Sequence, residues 1–150
     1  MKLLLPVDGS ALSLAAVEHA VALTRNGLRA ELVLVNVQDT ASLYELVTLH
    51  DRSALAHVAQ EAGMDLLAPA VDLVDAAGVP CVQTVVVGDA VSQLLEAIDD
   101  HACEGVIMGY RGRGLALGGL GSVARAVLER AAVPVTLVKP AETASAEDAA

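Results

Sequence analysis

The chain has 150 residues, a formal net charge of −10, and an apolar fraction of 55% that includes no Phe, no Trp and only two Tyr. This length fits one domain around one core, which must here be aliphatic. The acidic balance argues against nucleic acid as a partner, because nucleic-acid-binding proteins need a broad basic face. No apolar run approaches the roughly 20 residues that span a bilayer, and Pro6 and Asp8 come too early for a secretory signal. We therefore expect a cytoplasmic protein that does not bind membranes.

Short runs rich in Val and Leu predict five β-strands, and amphipathic patterns between them predict helices. The strand runs are residues 2–7, 30–37, 81–88, 105–109 and 133–139. Alternating strands and helices imply parallel pairing with right-handed crossovers. The near-continuous apolar character of strands two to four predicts that both of their faces are covered. The predicted fold is a doubly wound, five-stranded parallel α/β sheet, a three-layer α/β/α sandwich of the flavodoxin-like or Rossmann-like kind.

Each predicted helix follows a residue suited to cap it. Ser10 is the expected N-cap of the first helix, Asp89 of the helix after the third strand, and Ser122 of the last helix. The apolar stripe of the first helix is predicted to consist of Leu14, Ala15, Val17, Val21 and Ala22.

The stretch between Asp39 and Gly78 is longer than one crossover helix requires, and Gly63 and Pro69 interrupt its helical pattern. We expect a mobile or partly ordered segment near residues 40–52, followed by a helix that ends before Gly78. The domain is predicted to cover residues 1–140, with a disordered acidic tail over residues 141–150.

Several other constellations carry no predicted chemistry. Cys81 and Cys103 are far apart and are interpreted as buried free thiols. The histidines lack the spacing of a metal site, and there is no phosphate-binding P-loop sequence. We expect surface or helix-face positions for the four histidines, which are His19, His50, His57 and His101.

The stretch from 108 to 140 holds six of the twelve glycines and five of the nine basic residues. Ligands of doubly wound sheets bind at the carboxyl ends of the strands, where this stretch begins at Gly109 and where the first strand is followed by Asp8, Gly9 and Ser10. Backbone amides at the start of the last helix and a local positive charge would receive an anion such as a nucleotide phosphate. We expect positive φ angles and close ligand approach at Gly109, Gly112 and Gly114, and added charge from Arg111 and Arg113. The alternative is a long flexible loop before a capped helix, without a ligand.

Four stretches in the same order resemble the universal stress protein family, across essentially the whole chain. They are "LLLPVDGSALSLAAVEHAVAL", "LVLVNVQD", "VVVGDA" and "IMGYRGRG…GSVARAVLERAAVPVTLVK". The resemblance implies an adenine nucleotide alpha hydrolase-like fold. The ATP-binding members share the pattern G-x2-G-x9-G-[ST], which Gly109, Gly112, Gly121 and Ser122 match with one residue fewer between the second and third glycines. Gly118 and Gly119 are expected to absorb the difference.

The resemblance also implies a role for each matched residue in binding ATP, with or without Mg²⁺. Asp8 would meet the adenosine end, the backbone of Val37 the adenine, and Gly109 the ribose. The phosphates would be held by Gly112, Gly121, Ser122 and the amide of Val123, with Arg111 adding charge.

The predicted function is an ATP-binding sensor or regulatory module that is not an efficient enzyme. No general base is expected near the phosphates, since arginine cannot accept a proton and Asp8 is expected at the far end of the nucleotide. The family resemblance implies a homodimer through the last strand, Val133–Lys139. The alternative is a dimeric scaffold of the same family that binds no nucleotide and acts through protein contacts.

Overall fold

A computed structural model of the chain describes residues 1–39, 52–112 and 119–139. The strands are β1 (Lys2–Pro6), β2 (Glu31–Gln38), β3 (Cys81–Val87), β4 (Gly105–Gly109) and β5 (Val135–Val138). The helices are α1 (Ala11–Arg25), α2 (Arg52–Ala76), α3 (Ala90–Asp100) and α4 (Ser122–Arg130). The predicted strands are therefore all present, with ends that shift by at most two residues.

The strands form one parallel sheet in the order β3-β2-β1-β4-β5. Leu4 of β1 is paired with Val33 on one side and with Val106 on the other. The chain thus builds outward from β1 in both directions, and the predicted doubly wound topology is confirmed. This reversal leaves a crevice above the carboxyl end of β1, because the connections leave it on opposite sides.

The two faces of the sheet are covered by separate aliphatic cores. Leu5 and Leu34 pack with α1 and α2, whereas Leu4 and Val33 pack with α3 and α4. The three-layer arrangement is therefore as predicted. The expected full burial of strands two to four is wrong for β3, which lies at the sheet edge and leaves Val82 and Val87 exposed.

Helix α1 begins as predicted at Ser10, whose hydroxyl accepts a hydrogen bond from the Ser13 backbone N–H at 3.1 Å. Its buried face differs from the predicted stripe, because Leu14 and Ala15 are half-buried and Ala22 is exposed. The buried positions are Ser13, Ala16, Val17, Ala20 and Val21. Two small alanines on this face let the helix backbone lie close to the sheet.

Helix α2 runs without a break through Gly63 and Pro69, so the expected interruption is wrong, and it ends before Gly78 as predicted. Gly63 is required by packing, since a Cβ there would lie 2.6 Å from Val85 Cγ2 and 3.0 Å from Asn36 Oδ1. The expectations for residues 40–51 and for the tail 141–150 fall outside the described residues.

The remaining expectations concern isolated side chains. Cys103 is buried as predicted, but Cys81 is only half-buried because it begins an edge strand. Burial raises the pKa of both thiols. In the described part of the chain no three His, Cys, Asp or Glu side chains are grouped as metal ligands, and no helix there could cross a membrane.

Candidate functional site

A cavity of about 200 Å³ opens at the carboxyl ends of β1, β2 and β4. All eight residues predicted for nucleotide binding line it, namely Asp8, Val37, Gly109, Arg111, Gly112, Gly121, Ser122 and Val123. Eight further residues complete the wall, namely Pro6, Val7, Ser13, Val35, Ala90, Leu94, Met108 and Ala124. The sheet therefore brings together four stretches that are widely separated in the sequence.

Asp8 is held by the turn between β1 and α1. Its Oδ1 accepts a hydrogen bond from the backbone N–H of Ser10 at 2.9 Å, which is an Asx turn. Gly9 adopts a φ of 83°, in the left-handed region that glycine tolerates, and so permits this turn. The turn directs the carboxylate of Asp8 across the crevice toward the loop that follows β4.

The carboxylate of Asp8 lies directly against Gly112. A Cβ at Gly112 would be 2.8 Å from Asp8 Oδ2, so only glycine fits without displacing the carboxylate. The sequence predicted these two residues for opposite ends of a nucleotide. In the structure the two residues are neighbours, because they follow β1 and β4, which pair with each other.

The two ends of the glycine-rich loop meet at Gly121. Its N–H donates to the carbonyl of Tyr110 at 3.0 Å, and a Cβ there would lie 3.0 Å from Arg111 Cα. Tyr110, Arg111 and Gly121, which are described residues on the two sides of the loop, therefore form one narrow neck. Helix α4 begins directly after this neck.

The predicted N-cap of α4 is wrong by one residue. Gly121 is the N-cap, it makes no side-chain cap hydrogen bond, and Ser122 is the first helical residue. The first amides of a helix have no partner within the helix, and the helix dipole adds a partial positive charge there. Gly121 has no side-chain oxygen that could bond to these amides, and the first three helical residues, Ser122, Val123 and Ala124, all line the cavity.

The glycines act by their lack of a side chain more than by unusual backbone angles. Gly109 and Gly112 do not adopt the predicted positive φ, whereas Gly119 does, at 112°. At Gly109 close packing favours glycine, since a Cβ there would lie 3.2 Å from both Leu12 Cγ and the Arg111 carbonyl oxygen. Gly114 and Arg113 lie outside the described residues.

Of the two arginines predicted to add charge, Arg111 lines the cavity and Arg113 falls outside the described residues. Among the described basic residues only Arg111 lines the cavity. Arg125 and Arg130 are exposed on α4, and the Lys139 ammonium lies 5.7 Å from the centre of the Tyr110 ring, a cation–π contact. The capacity for an anion therefore depends on Arg111 and backbone N–H groups.

Part of the cavity lining is an aliphatic slot, of which the sequence predicted only Val37. It consists of Val35, Val37, Leu94, Ala90 and Met108. Strand alternation is the signal that could have found part of it, because Val35 and Val37 lie on one side of β2 near its end. Asn36 was also missed, and it is one of two buried polar residues among those described.

A cavity at the strand-order reversal defines a doubly wound α/β protein with a ligand crevice beside β1. Comparison with known proteins identifies the family: a profile of the Universal stress protein family matches residues 1–139. The chain belongs to the universal stress protein family.

Individual relatives agree with this assignment. Universal stress protein MJ0531 of Methanocaldococcus jannaschii is 27% identical over 139 residues, which are 92% of this chain and 81% of that protein. The solved structure of hypothetical protein MJ0577 superimposes with a TM-score of 0.78 at 23% identity, covering 93% of this chain and 96% of that one. A universal stress protein in complex with cAMP superimposes with a TM-score of 0.64 at 26% identity, covering 92% and 95%.

Proposed function

We propose that this protein binds an adenine nucleotide, ATP in particular, in the crevice between the Asp8 turn and the start of α4, and acts as a regulatory module. The observation that carries the proposal is that a helix start with a glycine cap, the described Arg111 and an aliphatic slot all line one cavity. A relative of 26% identity forms a complex with cAMP, which has the same base and a phosphate.

The phosphates would bind at the start of α4. Gly112 and Gly121 allow the anion to approach the backbone, and the amides of Ser122 and Val123 donate to phosphate oxygens. The Ser122 side chain is exposed at the first helical position, where its hydroxyl can donate as well. The one-residue difference from the family pattern lies between Gly112 and Gly121, whose mutual position is set by the Gly121–Tyr110 hydrogen bond. We infer that a chain with the shorter loop still binds phosphate.

The base would occupy the aliphatic slot beside Val37. The apolar side chains of Val35, Leu94 and Met108 suit a planar heterocycle. Asp8 lines the same cavity and lies against Gly112, and we infer that it meets the ribose hydroxyls of the bound nucleotide. A carboxylate there accepts hydrogen bonds from them.

Efficient hydrolysis is not part of the proposal. The ionisable side chains that line the cavity in the described chain are Asp8 and Arg111. Arginine stays protonated, and one oxygen of Asp8 already accepts the Ser10 N–H. Binding with slow turnover suits a protein that signals through the bound state, with or without Mg²⁺.

We also propose that two copies associate through the edge of the sheet formed by Val133–Lys139. Strand β5 pairs only with β4 in the described structure, so its outer backbone groups are available to a second chain.

The proposal is tested by calorimetric titration of the purified protein with ATP, with and without Mg²⁺. Gly112→Ala would push a methyl group into the Asp8 carboxylate and should weaken ATP binding at least about tenfold, which corresponds to about 1.4 kcal/mol. Gly105→Ala is the matched control, since it lies at the other end of β4 and its Cβ would meet only the tip of Leu3 and, at 3.6 Å, the Pro134 carbonyl.

Saturable binding by the wild type, retained in Gly105→Ala and lost in Gly112→Ala, supports the proposed site. Sedimentation of the same samples should give a dimer in all three. A wild-type protein that stays dimeric but gives a flat titration would refute nucleotide binding and favour the scaffold alternative.

A further inference from the structure

The ladder of backbone hydrogen bonds between β1 and β2 ends one hydrogen bond, or rung, earlier than the alternating pattern of a parallel pair predicts. In a parallel pair, alternate residues of a strand bond to one neighbour. Glu31 N–H donates to Met1 C=O, and Val35 C=O accepts from Val7 N–H, so odd-numbered residues of β2 bond toward β1. The next rung would join Val37 N–H to Val7 C=O. Among the described residues that backbone bond is not formed.

The Asn36 side chain donates to the Val7 carbonyl oxygen, which is the acceptor that this rung would use. Its Nδ2 donates to the Val7 carbonyl at 2.8 Å, across 29 residues of sequence. Its Oδ1 accepts from Gln38 Nε2 at 2.6 Å, so the orientation of the amide is determined at both ends. The side chain is 1% exposed, and no buried side-chain nitrogen or oxygen in the described chain lacks a partner.

The consequence for Val37 follows from the same alternation. Its N–H and C=O point toward β1 at a level where β1 has already ended, and Val37 lines the cavity there. The even-numbered neighbour Gln38 bonds away from the cavity, to Gly88 N–H on the β3 side. Val37 therefore presents a hydrogen-bond donor, its N–H, and an acceptor, its C=O, to the crevice. The amino-pyrimidine edge of adenine has a complementary acceptor and donor.

We propose that Asn36 is a positioning residue for the nucleotide base: by bonding to Val7 C=O it keeps Val37 N–H available to the ligand. This inference rests on the proposed function, in which the Val37 backbone contacts the base, and adds to it the role of the buried Asn36 side chain. Asn36 itself does not touch the ligand, because it faces the α2 side, where its Oδ1 lies against Gly63.

The test has one readout without nucleotide and one with it. In the wild type without ligand, amide hydrogen exchange at Val37 should be at least roughly a hundredfold faster than at Val35, whose N–H lies within the ladder. In Asn36→Val the Val7 carbonyl is released, and protection at Val37 should increase. A substitution that only destabilised the fold would lower protection instead, so the direction of the change distinguishes positioning from structure.

ATP titrations complete the experiment. Asn36→Val should weaken ATP binding about fivefold to tenfold, the loss expected for one hydrogen bond. Gln38→Leu is the control, because it removes the partner of Asn36 Oδ1 and leaves the bond to Val7. Asn36→Ala serves if the valine variant does not fold, and the wild-type exchange measurement requires no variant.

Slow exchange at Val37 in the unliganded wild type, or unchanged ATP affinity in a folded Asn36 variant, would overturn the inference. A wild type that binds no ATP would overturn the proposed function instead. The exchange pattern measured without nucleotide would still decide whether Asn36 controls the Val37 amide.

Discussion

Replacing Gly121 by alanine should perturb both stability and binding, because Gly121 closes the neck of the glycine-rich loop and caps α4. The new Cβ would lie 3.0 Å from Arg111 Cα and 3.2 Å from its Cβ. The nearest of these atoms belongs to the backbone, so it cannot rotate away. The chain must separate Gly121 from Arg111, which strains the hydrogen bond between Gly121 N–H and Tyr110 C=O.

The expected loss of stability combines two contributions. Alanine is a poorer N-cap than glycine by about 1 kcal/mol, and overpacking of a tight contact costs about 1–3 kcal/mol. A total of about 2–4 kcal/mol should lower the melting temperature of a chain of this size by roughly 4–16 °C and leave it folded. ATP affinity should fall at least about tenfold, since the amides at the start of α4 move away from the anion.

Thermal unfolding and calorimetric titration measure the two effects. Gly112→Ala is the comparison, because its Cβ would meet a carboxylate oxygen of Asp8 and not backbone, and it should cost less stability than Gly121→Ala. Equal melting temperatures for Gly121→Ala and the wild type, or a smaller loss than for Gly112→Ala, would refute the reasoning that backbone contact closes the neck.

Two further predictions concern the scaffold. Gly63→Ala should destabilise the protein by about 1–2 kcal/mol in urea unfolding, because overpacking against Val85 exceeds the gain of about 1 kcal/mol in helix propensity. Adding Val85→Ala should reduce that loss of stability. A Gly63→Ala variant that is more stable than the wild type would contradict the packing argument. The backbone N–H and the hydroxyl of Ser92 donate hydrogen bonds to Asp89 and lower its pKa. The Asp89 cap therefore stabilises the fold at pH values above the pKa that Asp89 has in the unfolded chain. This stabilisation is lost as the pH falls through the pKa that Asp89 has in the folded protein. Asp89→Asn should therefore flatten the fall in stability below about pH 4, and identical acid-unfolding profiles would argue against that contribution.

The sequence alone predicted the architecture because local patterns and topology rules suffice for it. Runs of Val and Leu predicted all five strands, and their alternation with helices implied the parallel pairing that the sheet shows. The rule that ligands bind at carboxyl strand ends led to Asp8 and Gly109, which both line the cavity. Ser10 and Asp89 were predicted as caps because capping is determined within a few residues.

Other features depend on residues that are distant in sequence, and only the tertiary structure decided them. The sequence pattern suggested that Gly63 interrupts a helix. In the structure glycine is needed at this position because Val85 and Asn36 of the sheet lie close to it. The contact of Gly112 with Asp8 spans most of the chain, and no periodicity reports it. The same holds for the bond from Asn36 to Val7, which ends the ladder beside Val37. Local sequence specifies which elements form, whereas the gaps and unpaired backbone groups that make a site arise only when those elements pack against one another.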